Sequence, residues 1–488
     1  MLKQKIKEFA DWILKAMTRD YKQSILIVVV MISGCAAYRP MPITTEAVNA
    51  RLQPPDMKEL RILATRFRHP ILRPIQLNPN EGLSPDGAAV LAVLLNPSLR
   101  AKRDQRALSS AQLLEAGLLP NPELAYSLDI PTGGDTSGKI TAFGLGLNWP
   151  VEALFTRSAR IDEAKSHKQA VDLDIAWQEW QVAQGAKAAV YHLASLQHRI
   201  ALARRAGKRM LQQRMQIQDA VAAGVLTISA LDAAKAADRR AAENLLNLQK
   251  EASQQRLRLR RLIGLPIGAP IHLKKEIQLP SHVKTPAATA LLQNLAHRRL
   301  DLLALRRGYD SQEAAVRAAI IEQFPKITIG PTISRDTDNL KTTGFSVSIA
   351  LPVFNRNQGR IARERATHHQ LFDEYVNRIF EARSDIEQSV SGIHYLNGQI
   401  AAARAAQTDL ARLVDNYRAA LADGQTRAPT YYAAWNDLIS TKTKVLDLEG
   451  QLAQAEVALE LATGFYEIPI SGLSPHGSVT EPGKAKTP

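Results

Sequence analysis

The residues able to do ligand or acid–base chemistry do not gather into a site. His368 and His369 are adjacent, and neighbouring positions on a helix point about 100° apart. No i, i+4 partner completes a metal-binding set around them, so they read as a solvated pair. His167 and His192 lack such partners too. After residue 35 the only methionines are Met41, Met57, Met210 and Met215, too scattered for a thioether copper pathway. Asp172, Asp174 and Glu179 read as an exposed helix face. No phosphate-binding loop, metalloprotease helix or nucleophile elbow occurs. The chain therefore reads as a non-enzyme with no catalytic residues, no resident metal and no cofactor.

Cys35 is the single cysteine. It follows Ile32-Ser33-Gly34, which close the apolar run from Ile25 to Ile32. That run is too short to span a bilayer, and Lys3, Lys5, Lys7, Lys15, Arg19 and Lys22 precede it. Basic residues, a short apolar stretch and small residues before a cut site make a secretory signal. Ile-Ser-Gly-Cys resembles the bacterial lipobox, which implies that residues 1–34 are a lipoprotein signal peptide. Cys35 then becomes the first, palmitate-bearing residue of a lipidated linker over 35–60. Ala36 in the next position implies sorting to the outer membrane; the alternative is a buried cysteine. With no second cysteine there is no intrachain disulfide, whatever the compartment. The formal charge of +15 is spread along helical stretches and not gathered with aromatics, which argues against a nucleic-acid partner.

The elements around these residues come in two copies about 200 positions apart. Pro122-Glu-Leu aligns with Pro325-Lys-Ile, Trp149-Pro150-Val151 with Leu351-Pro352-Val353, Gly224 with Gly424, and Gly264 with Gly464. Repeat 1 covers 61–264, with strands at about 122–131 and 139–149. Repeat 2 covers 296–464, with strands at about 325–334 and 342–351. Pro122, Pro150, Pro325 and Pro352 flank the strands. Residues 265–295 connect the repeats, and 465–488 read as a flexible tail.

After each strand pair the pattern is helical. Leu231, Ala234, Ala241, Leu245, Leu248, Ala252, Leu259 and Leu262 follow a seven-residue spacing, repeated from Tyr431 to Ala462. The preceding helices share a seam through Ile379, Ile386, Ile393 and Ile400. Each should run roughly 60 residues, or about 90 Å, to a tip at Gly224 or Gly424, where positive φ is cheap. Helices this long either project from a surface or bridge a gap.

The strands alternate. Phe345, Val347, Ile349 and Leu351 face one way, and Gly344, Ser346, Ser348 and Ala350 the other. Phe143, Leu145, Leu147 and Trp149 repeat the pattern. About ten residues with one apolar and one small polar face suit a tilted transmembrane strand. A soluble sheet packed on the helices would alternate too. In lipid, four strands leave unpaired edges, so other copies must close the barrel.

Asn96-Pro-Ser-Leu99, Gly117-Leu-Leu-Pro-Asn-Pro-Glu-Leu124, Phe324-Pro-Lys-Ile327 and Leu351-Pro-Val-Phe-Asn-Arg-Asn-Gln-Gly-Arg-Ile361 resemble the TolC-type outer-membrane efflux channels (outer-membrane factors). The last stretch resembles the CzcC-like heavy-metal branch. The resemblance covers about residues 60–465. It implies a mostly α fold with a small β part, in a homotrimer whose twelve-stranded barrel continues as an α-helical tunnel into the periplasm. An equatorial domain, with 55–95, 265–295 and the segment after 464 as candidates, would girdle that tunnel. It also implies a periplasmic adaptor docked on the tips Gly224, Val225, Thr227, Gly424, Gln425 and Thr426, and an inner-membrane RND-type pump. The duct itself would be passive, with heavy-metal cations as cargo. A drug-efflux channel, a type I secretion channel and a periplasmic coiled-coil lipoprotein are the alternatives. Where the best-known members carry aspartates after the second tip, this chain has Thr430 and Ala433, so no acidic constriction is assigned.

Overall fold

The computed structural model describes residues 38–464, apart from 55, 70, 71, 79 and 80. The chain divides after Gln53. The first unit carries one helix, α1 (Thr45–Leu52), whose first turn is capped by the Thr44 hydroxyl accepting from the Ala47 N–H at 3.2 Å.

In the second unit the first copy runs α2 (Met57–Thr65), α3 (Pro85–Leu95), α4 (Pro97–Gly117), β1 (Glu123–Asp129), β2 (Ala142–Pro150), α5 (Glu152–Ala222) and α6 (Ile228–Ile263). The second runs α7 (Ala288–Leu292), α8 (Leu295–Arg298), α9 (Leu300–Ile321), β3 (Lys326–Arg335), β4 (Lys341–Ala350), α10 (Gln358–Ala422) and α11 (Ala428–Thr463). Pro85 and Pro97 each open a helix, where a missing N–H does no harm. Ser84 and Asn96 cap those helices. No proline interrupts α5 or α10, and they reach 71 and 65 residues, longer than the spacing predicts. At 1.5 Å per residue α5 is about 105 Å long.

The strands form one antiparallel sheet in the order β1-β2-β3-β4. Pro150 does not flank β2: it is the last strand residue, opposite Thr328, because a strand end tolerates a residue without an N–H. A Cβ at Gly330 would lie 1.4 Å from the Leu147 carbonyl oxygen, so this junction of the two copies requires glycine.

Each hairpin has its own core. Leu193, Leu196 and Ile200 of α5 pack with Leu248, Ala252 and Leu259 of α6. Ile386, Ile393 and Ile400 of α10 pack with Leu448, Leu452 and Leu459 of α11. Near the tips the cores merge, with Met210 and Ile217 joining Tyr431, Trp435 and Leu438. Higher up, α11 lies on α5. The Ser195 hydroxyl donates to the Leu446 carbonyl at 2.9 Å, and Arg199 meets Asp447 at 2.7 Å. A Cβ on Gly450 would come within 2.5 Å of Ser195 Cβ.

The two copies fasten the return of each hairpin in the same way. Gly264 ends α6 and Gly464 ends α11, both with positive φ (83° and 63°), and each abuts the start of the helix leading to the strands. In the first copy Asn96 Nδ2 donates to the Leu262 carbonyl at 2.8 Å. In the second, Arg299 Nη1 donates to the Ala462 carbonyl at 2.9 Å. Arg299 is 1 % exposed. Its charge is balanced by Asp301 at 2.7 Å, which also binds Arg378, and its guanidinium lies over the Trp177 ring. Burial would raise the Asp301 pKa, but the two arginines hold it below the usual carboxylate value.

The expected exposed acidic face on α5 is not there. Asp172 and Asp174 are half-buried and Glu179 is 3 % exposed. Glu179 lies under the 66–69 segment and beside α4, 3.0 Å from His69 Nε2 and 2.5 Å from Arg103 Nε. Burial is the largest influence and acts to raise its pKa, but His69 and Arg103 together bring it below the ordinary value. A group whose carboxylate is favoured by folding stabilises the native state above its unfolded pKa. That contribution is lost as pH falls through the lower folded value. Glu460 and Glu456 of α11, raised by burial, work in the opposite sense, so the comparison must be between variants. Glu179→Gln should lower the thermal midpoint at pH 7 and lose less further stability than wild type on acidification through and below the ordinary carboxylate range. Parallel acid curves would exclude this role for Glu179.

Candidate duct: strand faces, outer loops and hairpin tips

Residues opposite one another in a ladder share a face of the sheet. On one face Leu124 pairs with Leu147, Tyr126 with Leu145, and Leu145 in turn with Ile333. Ile329 pairs with Val347, and Ile327 with Ile349. Tyr126, Phe345, Val347 and Ile349 are at least half exposed. The opposite face runs Ala125, Gly146, Thr332, Gly344 in one row and Ser127, Gly144, Ser334, Thr342 in the next. It carries glycine, alanine and hydroxyls, with no apolar bulk. The outward edges of β1 and β4 have no partner strand among the described residues.

The loops beyond the strands are tied to each other. The Ile140 N–H donates to the Thr337 carbonyl at 2.9 Å, Arg335 Nη2 to the Thr141 carbonyl at 3.0 Å, and Lys139 binds Asp338. Sequence reasoning missed these contacts; the opposite charges in two polar loops were the only signal for them.

At the other end both tips close alike. Gly224 (φ 74°) and Gly424 (φ 70°) are exposed, and a Cβ added at either would meet open space. The Val225 N–H donates to the Ala220 carbonyl at 2.9 Å, and Gln425 to Ala420 at 2.8 Å. This left-handed closure satisfies carbonyls of the last helical turn. Val225, Thr227 and Gln425 are exposed and Thr426 is half-buried. Pro122 and Pro325 precede β1 and β3, and Pro352 follows β4.

His368 is not solvated as expected. Its Nε2 lies 2.7 Å from Glu313 and its ring 4.3 Å from that of Tyr309, because α9 packs against this side of α10. His192 faces Glu251 at 3.5 Å. Among the described residues no group of three or more His, Cys, Asp or Glu is arranged to hold a metal. No described helix is long and apolar enough to cross a membrane. Cys35 and the 465–488 segment lie outside the described residues. In the connecting segment Leu273 bridges to Leu83, and Asn397 of α10 holds the Val283 backbone through both its amide atoms.

A family model for outer membrane efflux proteins matches residues 89–265 and 291–465, one span for each copy. The chain belongs to the outer membrane efflux protein family. It is similar to the cobalt-zinc-cadmium resistance protein CzcC of Cupriavidus metallidurans, at 26% identity over 311 residues. That match covers 63% of this chain and 72% of the relative. In fold it is similar to CusC, with a TM-score of 0.66 at 18% identity over 82% of this chain and 99% of that one. It is also similar to VceC of Vibrio cholerae, with a TM-score of 0.66 at 17% identity, covering 78% and 96%. This outer membrane efflux protein is therefore an outer-membrane channel with the TolC-like fold, its helical hairpins reaching into the periplasm.

The two sheet faces then meet different solvents, and substitutions on them should differ. Val347→Lys places a charge on the lipid side, at a cost of about 2–4 kcal/mol near the bilayer midplane. It should reduce the heat-modifiable, membrane-inserted fraction. Ser346→Lys, on the neighbouring small face, should insert as wild type. Equal insertion of both variants would reverse or abolish the assignment of faces.

Proposed function

We propose that this chain is the passive exit duct of a tripartite efflux system, closed as a homotrimer and carrying heavy-metal cations. The observation that carries the reading is the sheet: apolar on one face, small and polar on the other, with two open edges. Three copies of four strands would give a twelve-stranded barrel in which every edge is paired. The α5/α6 and α10/α11 hairpins would then continue the barrel as a tunnel. An inner-membrane RND-type pump would supply the energy, and a periplasmic adaptor would dock at Gly224, Val225, Thr227, Gly424, Gln425 and Thr426. Cys35 would carry the lipid anchor. The duct contributes a path and performs no covalent step. The likeness to CzcC supports divalent metal as cargo.

Deleting the gene should make cells hypersensitive to cobalt, zinc or cadmium while leaving drug tolerance unchanged. Drug hypersensitivity with normal metal tolerance would replace the metal reading with drug efflux; loss of a secreted protein would point to type I secretion. At the tips, Gly224→Glu and Gly424→Glu should lower metal export several-fold while the trimer still assembles, as read by gel mobility without heating. Normal export by both variants would show that the tips do not couple to a partner.

A further inference from the structure

The two hairpins share a register but not a charge. Residues 199–263, around the α5/α6 tip, hold 14 lysines and arginines against 5 aspartates and glutamates. Residues 399–463, around the α10/α11 tip, hold 6 against 8. The excess is concentrated at one level. Arg204, Arg205, Lys208 and Arg209 stand 15 to 20 residues before Gly224, and Arg239 and Arg240 stand 15 and 16 after it. Because the two helices run antiparallel, all six lie in one band, about 22–30 Å from the tip. All six are exposed, and none has an ion-pair partner among the described residues. At that level the hairpin offers two carboxylates: Asp238, which binds Arg214 at 3.4 Å, and Glu243. Arg204 with Lys208, and Arg205 with Arg209, are like charges four residues apart, which destabilises a helix taken alone. Folding therefore does not account for the band.

The second hairpin lacks the band at matching positions. A shift of 200 residues takes Arg204 to Arg404, Arg205 to Ala405, Lys208 to Thr408, Arg209 to Asp409, Arg239 to Ile439 and Arg240 to Ser440. Arg404 alone keeps the charge, and Glu449 binds it at 2.6 Å; the first copy has Gln249 in place of that glutamate. Another copy of this chain does not supply the missing anions. In its second hairpin Asp409, Asp415, Asp447, Glu449 and Glu460 each bind an arginine or lysine of their own copy. Polyanions built of bases or sugars are held by stacking on exposed aromatic rings as well as by charge, and the band has none. Beside it, α6 and α11 leave a cleft of 490 Å³ lined by Ala203, Ala206, Ala241 and Arg240. Its one aromatic residue, Trp435, is 5 % exposed. Small apolar side chains with cations around them suit an amphipathic helix that is acidic on its contact face.

We infer that the periplasmic partner presents an acidic helical surface and engages the α5/α6 hairpin through this band. The two hairpins of one copy are then unequal docking sites, and the first supplies the electrostatic contact. This rests on the tip-docking reading given above and adds the charge of the partner and the hairpin it selects.

The test uses the full-length protein and two variants with the same change in charge. Arg205→Gln with Lys208→Gln removes two cations from the first hairpin. Ala405→Glu with Thr408→Glu adds two anions at the matching exposed positions of the second. The first pair should lower metal export several-fold while the trimer still assembles, and the second should export as wild type. The binding probe is an amphipathic helical peptide with glutamates along one face, compared with the same peptide carrying lysines there. The glutamate peptide should bind the wild-type protein, lose affinity as salt rises past about 0.15 M, and bind the first variant several-fold more weakly than the second. Equal binding of both peptides overturns the inference. So does normal export by the first variant, or an equal defect in both, while Gly224→Glu still impairs export; tip docking then stands. If Gly224→Glu and Gly424→Glu also export normally, both readings fall. Loss of co-sedimentation with purified peptidoglycan by the first variant, with export intact, assigns the band to the cell wall and overturns the acidic helix.

Discussion

In hydrocarbon a backbone N–H or C=O without a partner costs several kcal/mol, and β1 and β4 each present a row of such groups. Most other features of the chain serve the closing of these rows. The strands are only seven to ten residues long, the sheet has one face fit for lipid, and the helices beneath it keep the strand order. A protomer with the same helices but a soluble sheet would need its apolar strand face covered from within. Here Phe345, Val347 and Ile349 are left open.

Duplication solves the positioning problem twice with different chemistry. The return of each hairpin is secured by one donor reaching the last helical carbonyls, from Asn96 in one copy and from Arg299 in the other. The amide needs no counter-ion. The guanidinium does, and Asp301, Arg378 and the Trp177 ring have gathered around it. Breaking such a buried pair on one side leaves an uncompensated charge, so the second copy is the less tolerant of change at this point. The pseudo-symmetry is thus one of backbone path, while the side chains that enforce it have diverged.

Much of this was legible in the sequence because it depends on short-range pattern. Alternation at Phe345, Val347 and Ile349 fixes a strand and its faces, and the heptad from Tyr431 to Ala462 fixes a buried stripe. Gly224 and Gly424 mark the tips because the turn needs positive φ. What was not legible depends on which distant segment arrives. Glu179 looked exposed because its neighbours in sequence are acidic and polar; Arg103 and the His69 segment, which bury it, come from 76 residues or more away. His368 likewise looked solvated until Glu313 and Tyr309 of another helix met it. Helix lengths were underestimated because the absence of proline limits a helix from neither end. The docking role of the tips stays a proposal of the sequence, and Cys35 with its lipid lies outside the described residues.

The tethered outer loops have a mechanical consequence. With the Ile140–Thr337 bond, the Arg335 bond to Thr141 and the Lys139–Asp338 pair joining both hairpin ends, the two strand pairs of one copy are held together at their outer ends. At the far end one core joins α5, α6, α10 and α11, so a displacement there is carried along roughly 100 Å of helix before it reaches the strands. The copy is thus tied across its pseudo-repeat at both ends, by polar loop contacts at one and by a shared apolar core at the other.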